Sequence, residues 1–240
     1  MDETTELKGL GARKSLYIFG IAGFVFYLET YFLIPWLSKT TGIETVVFWF
    51  LVAGLGMFLP LLIVANLMLR SEGAFNKPGL VSGRLRFKKI RLHDWLWIFG
   101  AILAIGCLCM LVMKLLEMIS GPFNQQPPFM QFEPLSSGRY WILLAWFPYW
   151  ILNIMGEEIL WRGVIFPRQE IVFGRYTWIF HGFCWSLFHI PFGWQLFLTM
   201  LPILFIQSLA VQKTKNTWAG ILIHAVINGP SFIAISLGLL

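Results

Sequence analysis

Long apolar runs separated by short polar stretches repeat along nearly the whole chain. A helix needs about 20 mostly apolar residues to cross a bilayer, and this pattern therefore predicts an all-α polytopic membrane protein. About seven transmembrane helices are expected, at residues 15–37, 46–69, 95–118, 140–166, 177–190, 194–211 and 217–240. The fifth run is short for a full crossing, and Pro60 is expected to kink the second helix.

The composition supports a membrane protein and excludes several other classes. Hydrophobic residues make up 58% of the chain and charged residues 12%, with a net charge of +6, whereas soluble proteins average about 25% charged residues. We therefore expect a single membrane domain over residues 1–240, in contact with lipids. The basic residues lie between apolar runs and form no stripe with interleaved aromatic residues, which argues against a nucleic-acid partner. Cys107, Cys109 and Cys184 lie in apolar runs and are expected to pack as small hydrophobic groups.

The distribution of basic residues predicts an orientation. If the N-terminus is cytoplasmic, the outer loops hold only Lys39 and Arg139. Lysine and arginine favour cytoplasmic segments, so we expect a cytoplasmic N-terminus, a basic cytoplasmic loop at 70–94 and an outer C-terminus. The inner segments then contain Lys8, Arg13, Lys14, the seven basic residues of 70–94, Arg168, Arg175, Lys213 and Lys215.

Three charged residues interrupt the fourth apolar run: Glu157, Glu158 and Arg162. A charge at the centre of a membrane helix costs roughly 2.5–3.5 kcal/mol, while a leucine recovers only about 0.3–0.6 kcal/mol. Glu158 and Arg162 are one helical turn apart and are expected to form an ion pair. Glu157 points about 100° away, and unpaired ionisable groups in membranes usually serve a pathway or a reaction. Glu29 in the first run could pair with a basic group or belong to a water-filled cavity, and of the two a buried pair is expected.

Other polar residues should lie at a similar depth. With about 1.5 Å per helical residue, Glu157 lies roughly 14 Å, His189 roughly 18 Å, His224 roughly 11 Å and Asn228 roughly 17 Å from the inner ends of their helices. His224 and Asn228 are four residues apart and share one helix face. His181 is expected at the inner interface, because it lies near the start of its helix.

This set of residues permits two kinds of chemistry. A carboxylate with little water around it can take a proton from a water molecule, and an imidazole can assist. A second histidine and an amide can donate hydrogen bonds to a carbonyl oxygen as it gains negative charge. These roles fit hydrolysis of a peptide bond. Glu157, His189 and His224 could equally hold a zinc ion with one position left for water, and the residues alone leave both readings open.

The polar residues resemble three sequence motifs of the CPBP family of intramembrane proteases, which includes the Abi, CAAX-protease and Rce1-like proteins. The resemblance covers residues 153–228. The family motifs are Glu-Glu-x-x-x-Arg, Phe-x-x-x-His and His-x-x-x-Asn/Asp, and one position departs from them, since a tryptophan replaces the phenylalanine. The matching residues are, in order, Glu157, Glu158 and Arg162, then Trp185 and His189, then His224 and Asn228.

The resemblance implies an all-α membrane fold around a polar cavity that opens to the cytosol. It also implies an endopeptidase in which Glu157 activates a water molecule with help from His189. His224 and Asn228 would form the oxyanion hole, supported by Glu158 and Arg162. No cofactor is expected, with zinc as the alternative. The expected substrate is a membrane-associated peptide or protein, of which prenylated CAAX-type proteins are one class.

Two other functions are compatible with the same residues. A non-proteolytic scaffold or immunity protein could keep the same pocket as a binding site. A small transporter could use Glu157 to relay protons, although no internal repeat of the kind common in transporters is visible.

Overall fold

The computed structural model describes residues 7–122, 126–130 and 132–239. Within these residues all regular structure is helical. The predicted all-α class is therefore confirmed. The helices are α1 (Ala12–Thr41), α2 (Thr45–Ser71), α3 (Leu80–Arg84), α4 (Leu92–Ser120), α5 (141–173), α6 (Thr177–His189), α7 (Trp194–Thr214) and α8 (Thr217–Ser236).

Among the described residues, five helices are long and apolar enough to cross a membrane: α1, α2, α4, α7 and α8. The other two predicted spans correspond to α5 and α6, which are not among these five helices. The helix α5 carries three charged residues near its middle. The helix α6 has 13 residues and is therefore about 20 Å long, which is shorter than a bilayer core of about 30 Å. The protein is thus a polytopic helical membrane protein, with α6 ending inside the bundle.

Three of the described helices contain π-helical segments, one of which is Glu29–Leu33 in α1. In α2 a π-helical segment, Trp49–Phe58, lies just before Pro60. In α5 the segment Glu158–Ile165 is π-helical and follows Glu157 directly. Such segments are frequent at functional sites because they change the direction in which side chains point. In α5 the change occurs between the two adjacent glutamates.

Charged residues gather at one end of the bundle, which we call the basic face; it is formed by residues 7–14, 70–94, 168–176 and 212–217. Polar contacts join these segments. Leu10 N donates to the carbonyl oxygen of Arg168 at 2.9 Å, and Glu170 pairs with Arg86 at 2.6 Å and with Lys215 at 2.5 Å. Arg168 also pairs with Glu72. The basic segments that the sequence distributes along the chain therefore lie together at one end of the folded bundle.

The opposite end, which we call the loop face, contains the connection 42–44 and, between α4 and α5, the described residues 121–122, 126–130 and 132–139. Arg139 pairs there with Glu44 at 2.5 Å. The loop is held to the bundle at its C-terminal end, where Leu135 N donates to the carbonyl oxygen of Ser236 at 2.8 Å. The alternating direction of the helices places this face across the bundle from the basic face.

The expected pair between Glu29 and a basic group is wrong. Glu29 is buried, and its carboxylate lies against Gly56 of α2. Among the described residues its Oε2 has no hydrogen-bond partner. No basic residue of the described chain pairs with it, since the neighbouring wall is formed by the apolar π-helical segment of α2.

The helices α5 and α2 approach each other closely at Gly156. A Cβ atom on Gly156 would lie 2.6 Å from the carbonyl oxygen of Phe58. Small residues allow such close contacts between membrane helices. This contact fixes the position of α5 relative to α2 at the residue before Glu157. It therefore also helps to position the candidate site.

We expect Gly156→Ala to destabilise the protein by about 1–3 kcal/mol, because a backbone atom must move to admit the methyl group. The matched control is Gly106→Ala in α4, where a Cβ would meet no atom within 4 Å. Thermal unfolding of both variants in detergent measures the difference. An equal midpoint for the two variants would contradict the close contact.

Candidate active site

A cavity of about 310 Å³ lies inside the bundle. All four residues predicted to be catalytic line it: Glu157, His189, His224 and Asn228. They come from α5, from the end of α6 and from α8. The rest of the wall is largely apolar and aromatic and includes Phe26, Trp49, Met113, Trp146, Phe192 and Phe232.

The carboxylate of Glu157 is held by two hydrogen bonds. Trp185 Nε1 donates to Oε2 at 2.6 Å, and Asn153 Nδ2 donates to Oε1 at 3.0 Å. Asn153 is four residues before Glu157 on the same helix, so the two side chains share a face. Glu157 is only 2% exposed. The carboxylate therefore has a fixed orientation in a site with little bulk water.

His189 lies where α6 stops. Its Nδ1 is 3.0 Å from the carbonyl oxygen of Trp185. A carbonyl oxygen only accepts, so Nδ1 carries a proton in this contact. This leaves Nε2 as the ring nitrogen available in the cavity. Because α6 is too short to cross a membrane, its last residue can reach the interior of the bundle.

Glu158 is the centre of a second polar group, which lies behind the cavity wall. His224 Nδ1 is 2.9 Å from Glu158 Oε1, and Gln207 Nε2 donates to the same oxygen at 2.8 Å. Arg162 Nη1 lies 3.2 Å from Glu158 Oε1. The expected ion pair between Glu158 and Arg162 is therefore present, and both side chains are fully buried.

The guanidinium of Arg162 also lies over the ring of Trp185. Its Cζ is 3.4 Å from the centre of a Trp185 ring, the arrangement of a cation–π contact. Within the described residues the guanidinium nitrogens form no hydrogen bond. The indole of Trp185 is thus fixed by Arg162 on its face while its N–H holds Glu157.

Asn228 completes the wall next to Asn153. Its Nδ2 is 3.4 Å from Asn153 Oδ1. His224 and Asn228 lie on the same face of α8, as their spacing predicted, and both line the cavity. Their side chains can therefore approach one bound group from the same side.

Sequence reasoning missed three residues of the site: Asn153, Trp185 as a hydrogen-bond donor, and Gln207. Asn153 could have been found, because it is a polar residue one turn before Glu157 in an apolar run. Gln207 is the polar residue of another apolar run, but its partner on α5 is 49 positions away in sequence. The role of Trp185 depends on where its indole N–H points, which no spacing reveals.

His181 lies near the start of α6, and its expected place at the inner interface stays a prediction. Its side chain is fully buried, and Nδ1 lies 2.6 Å from Gln169 Oε1. Phe166 and Phe19 pack against its ring. The C-terminal part of α5 covers the start of α6.

The residues proposed as zinc ligands do not converge. Among the described residues, no three His, Cys, Asp or Glu side chains are placed to share a metal ion. Both carboxylate oxygens of Glu157 accept hydrogen bonds, one from Trp185 and one from Asn153. The arrangement as it stands therefore does not fit the zinc site of the alternative reading.

The cavity extends in one direction from Glu157. It passes the loop-face halves of α4, α7 and α8 and reaches Pro127 and Met130 of the loop face. The resemblance implies a cavity open to the cytosol, while the charge pattern predicts that the basic face is cytoplasmic. The structure makes these two expectations incompatible, because the cavity points away from the basic face.

The fold and the site together define a polytopic helical membrane protein with a buried carboxylate and two imidazoles on one cavity wall. Residues 139–229 match the family model described as type II CAAX prenyl endopeptidase Rce1-like. This segment carries all three motifs, and the match supports a CPBP, Rce1-like protein. The match indicates a CAAX-type intramembrane protease in general terms. The chain has no match among curated proteins or among solved structures.

Proposed function

We propose that the protein is an intramembrane endopeptidase that hydrolyses a peptide bond of a membrane-associated substrate through a water molecule activated by Glu157. One observation carries this proposal: Glu157, His189, His224 and Asn228 line a single cavity. The family match over residues 139–229 supports the same class of reaction.

Glu157 acts as the general base. It takes a proton from water while the water oxygen forms a bond to the carbonyl carbon of the substrate. The hydrogen bonds from Trp185 and Asn153 hold the carboxylate in place, and such positioning supplies a large share of a catalytic rate. The proton then passes from Glu157 to the amide nitrogen as the C–N bond breaks, which gives a carboxylic acid and an amine. The acid then transfers its proton to the amine, so that the products are a carboxylate and an ammonium group.

The two histidines have different roles. His189 has Nε2 available in the cavity and assists in orienting the water. His224 and Asn228 stabilise the oxygen of the tetrahedral intermediate. Donation from His224 Nε2 requires both ring nitrogens to carry protons, because Nδ1 already faces Glu158. The Glu158 carboxylate provides the opposite charge, and fixed donors of this kind contribute about 2.7–4 kcal/mol to transition-state binding.

Cleavage by this mechanism is expected to be insensitive to chelators, because the four residues act without a metal ion. Purified protein in detergent is incubated with a peptide library, with and without a chelator, and the products are identified by mass spectrometry. Loss of cleavage with the chelator, restored by added zinc, would contradict the metal-free mechanism. Absence of any cleavage under all conditions would favour a scaffold that keeps the pocket for binding.

Trp185→Phe is expected to lower kcat about tenfold or more, with little change in KM. A hydrogen bond to a charged group is worth about 1.5–3 kcal/mol, and about 1.4 kcal/mol corresponds to a factor of ten. Phenylalanine keeps an aromatic ring against Arg162 but removes the donor to Glu157.

The control for this variant is Trp150→Phe. Within the described residues Trp150 Nε1 has no hydrogen-bond partner, so its loss should leave kcat unchanged. Steady-state kinetics of both variants on the same peptide decide the matter. If Trp185→Phe had full kcat, the indole N–H would have no positioning role.

A further inference from the structure

We propose that the substrate reaches Glu157 from the loop face, which the charge pattern places on the outer side of the membrane. This inference rests on the proposed peptidase function and adds a direction of entry to it. It also specifies the substrate, as a peptide with an apolar segment or anchor presented from the outer leaflet.

The lining of the cavity runs from the catalytic residues to the loop face. At its inner end are Glu157, His189 and His224. At its far end it is lined by Pro127 and Met130 of the 121–139 loop, together with loop-face residues such as Met113, Leu196 and Ile235. Ser231, an exposed residue of α8, lies on the same lining. The open space therefore leads from the catalytic residues to the loop face.

The opposite direction is closed by packed side chains. Leu85, which follows α3, is buried and lies against Gly163, where a Cβ would come within 2.7 Å of its side chain. Thr217 Oγ1 donates to the carbonyl oxygen of Leu85 at 2.6 Å. Between this contact and the cavity lie the fully buried side chains of Glu158 and Arg162. No opening to the basic face is found along this path through the described residues.

The chemistry of the route identifies the kind of substrate that fits it. The wall between the loop and the catalytic residues is formed mainly by aromatic and aliphatic side chains, including Trp49, Trp146, Phe192 and Phe232. A charged peptide would lose its hydration there with little compensation. An apolar segment or a lipid chain would instead gain contacts, and the scissile amide would be the group that meets Glu157 and Asn228.

The loop itself is part of this entrance. Phe129 packs against Trp49, with ring centres 5.0 Å apart, and against Phe192 at 6.1 Å. Pro128 contacts Gly193, where a Cβ would lie 2.7 Å from the proline ring. These contacts place residues 127–130 at the far end of the cavity, so a substrate from this side must pass next to them.

The test measures cleavage from each side of the membrane. Two populations of sealed vesicles with opposite orientation are prepared from cells that express the protein. Ser137→Cys on the loop face and Ser82→Cys on the basic face, both at exposed positions, report the orientation through a charged thiol reagent. The probe is a fluorogenic peptide with a charged tag that does not cross the bilayer, chosen because detergent-solubilised protein cleaves it.

The expected result is cleavage only in the vesicles whose outer surface labels Ser137→Cys, and these should be the right-side-out vesicles. Cleavage confined to the vesicles that label Ser82→Cys, equal cleavage by both, or cleavage by neither would overturn the proposed direction. Labelling of Ser137→Cys from the cytoplasmic side would overturn the outer-leaflet assignment. Solubilising the same vesicles in detergent separates this question from the proposed function. Cleavage that appears only after solubilisation concerns access from the membrane side, whereas the lack of any probe that solubilised protein cleaves would contradict the peptidase function itself.

A second measurement tests the entry route by blocking one residue of the cavity lining. Ser231→Cys treated with a bulky thiol reagent should lose cleavage relative to the same variant before treatment. Ser82→Cys should keep its activity after the same treatment. Cys109 also lines the cavity and can react with the reagent. The parent protein is therefore treated in the same way, and its loss of activity is subtracted from that of Ser231→Cys. Equal activity of treated and untreated Ser231→Cys would contradict entry along this wall.

Discussion

Glu157→Gln is expected to reduce peptide cleavage by at least about 100-fold, because general acid–base catalysis contributes about 10²–10⁴ to a rate. Glutamine has nearly the same shape and can still accept a hydrogen bond from Trp185 through its amide oxygen. It cannot take a proton from water at any useful rate. Initial rates on a peptide identified in the detergent assay measure the loss.

The matched control is Glu117→Gln, at an exposed carboxylate on α4. It removes the same charge from another helix and should leave cleavage unchanged. Both variants should elute as the parent protein does in size-exclusion chromatography, since the substitution at Glu157 changes no side-chain volume. Full activity of Glu157→Gln would exclude this carboxylate as the base and would favour a different function for the cavity.

Arg162→Met is expected to destabilise the protein by about 3 kcal/mol, the lower end of the range for breaking a buried ion pair. Glu158 would keep its charge in a fully buried position. His224 and Gln207 still contact it, and for this reason we place the effect at the lower end. The contact between the guanidinium and the face of Trp185 is also lost. Thermal unfolding in detergent and the yield of folded protein measure the effect.

The double variant Glu158→Gln/Arg162→Met separates charge from packing. It leaves no uncompensated carboxylate, so much of the lost stability should return. Activity should remain low, because His224 then lacks the carboxylate that faces its Nδ1. If the double variant were as unstable as Arg162→Met alone, the contact between Arg162 and Trp185, rather than the ion pair, would hold this part of the bundle together.

The consequence of having tryptophan at the position of the motif phenylalanine is visible only in the structure. From the sequence, Trp185 is a departure from a family pattern. In the structure its N–H donates to Glu157, which phenylalanine could not do. This departure from the motif is therefore coupled to the central carboxylate of the site.

The fold class and most helix boundaries follow from local sequence. Apolar runs of sufficient length must form helices in a bilayer, since each backbone N–H and C=O needs a partner within its own segment. The predicted run 95–118 corresponds to Leu92–Ser120, and the run 194–211 to Trp194–Thr214. Differences of a few residues at the ends reflect polar residues that still fit into a terminal helical turn.

The candidate site residues were also visible in the sequence, because a charge or an imidazole in an apolar run stands out and helical spacing says which residues share a face. Glu157, Glu158, Arg162, His189, His224 and Asn228 could be named in this way. The partners of these residues could not, since the contact of Glu158 with His224 joins positions 66 apart. Such contacts depend on how the helices pack and on the turn of α5 at its π-helical segment.

The sequence by itself determined that this chain folds as membrane helices, that its positive charges gather on one face and that a few polar residues lie inside. These are consequences of local hydropathy and of residue spacing. Only the tertiary structure decided which of those polar residues meet, which indole holds the carboxylate and toward which face the cavity leads. These features arise from contacts between distant segments, whose geometry is fixed by the packing of all the helices together.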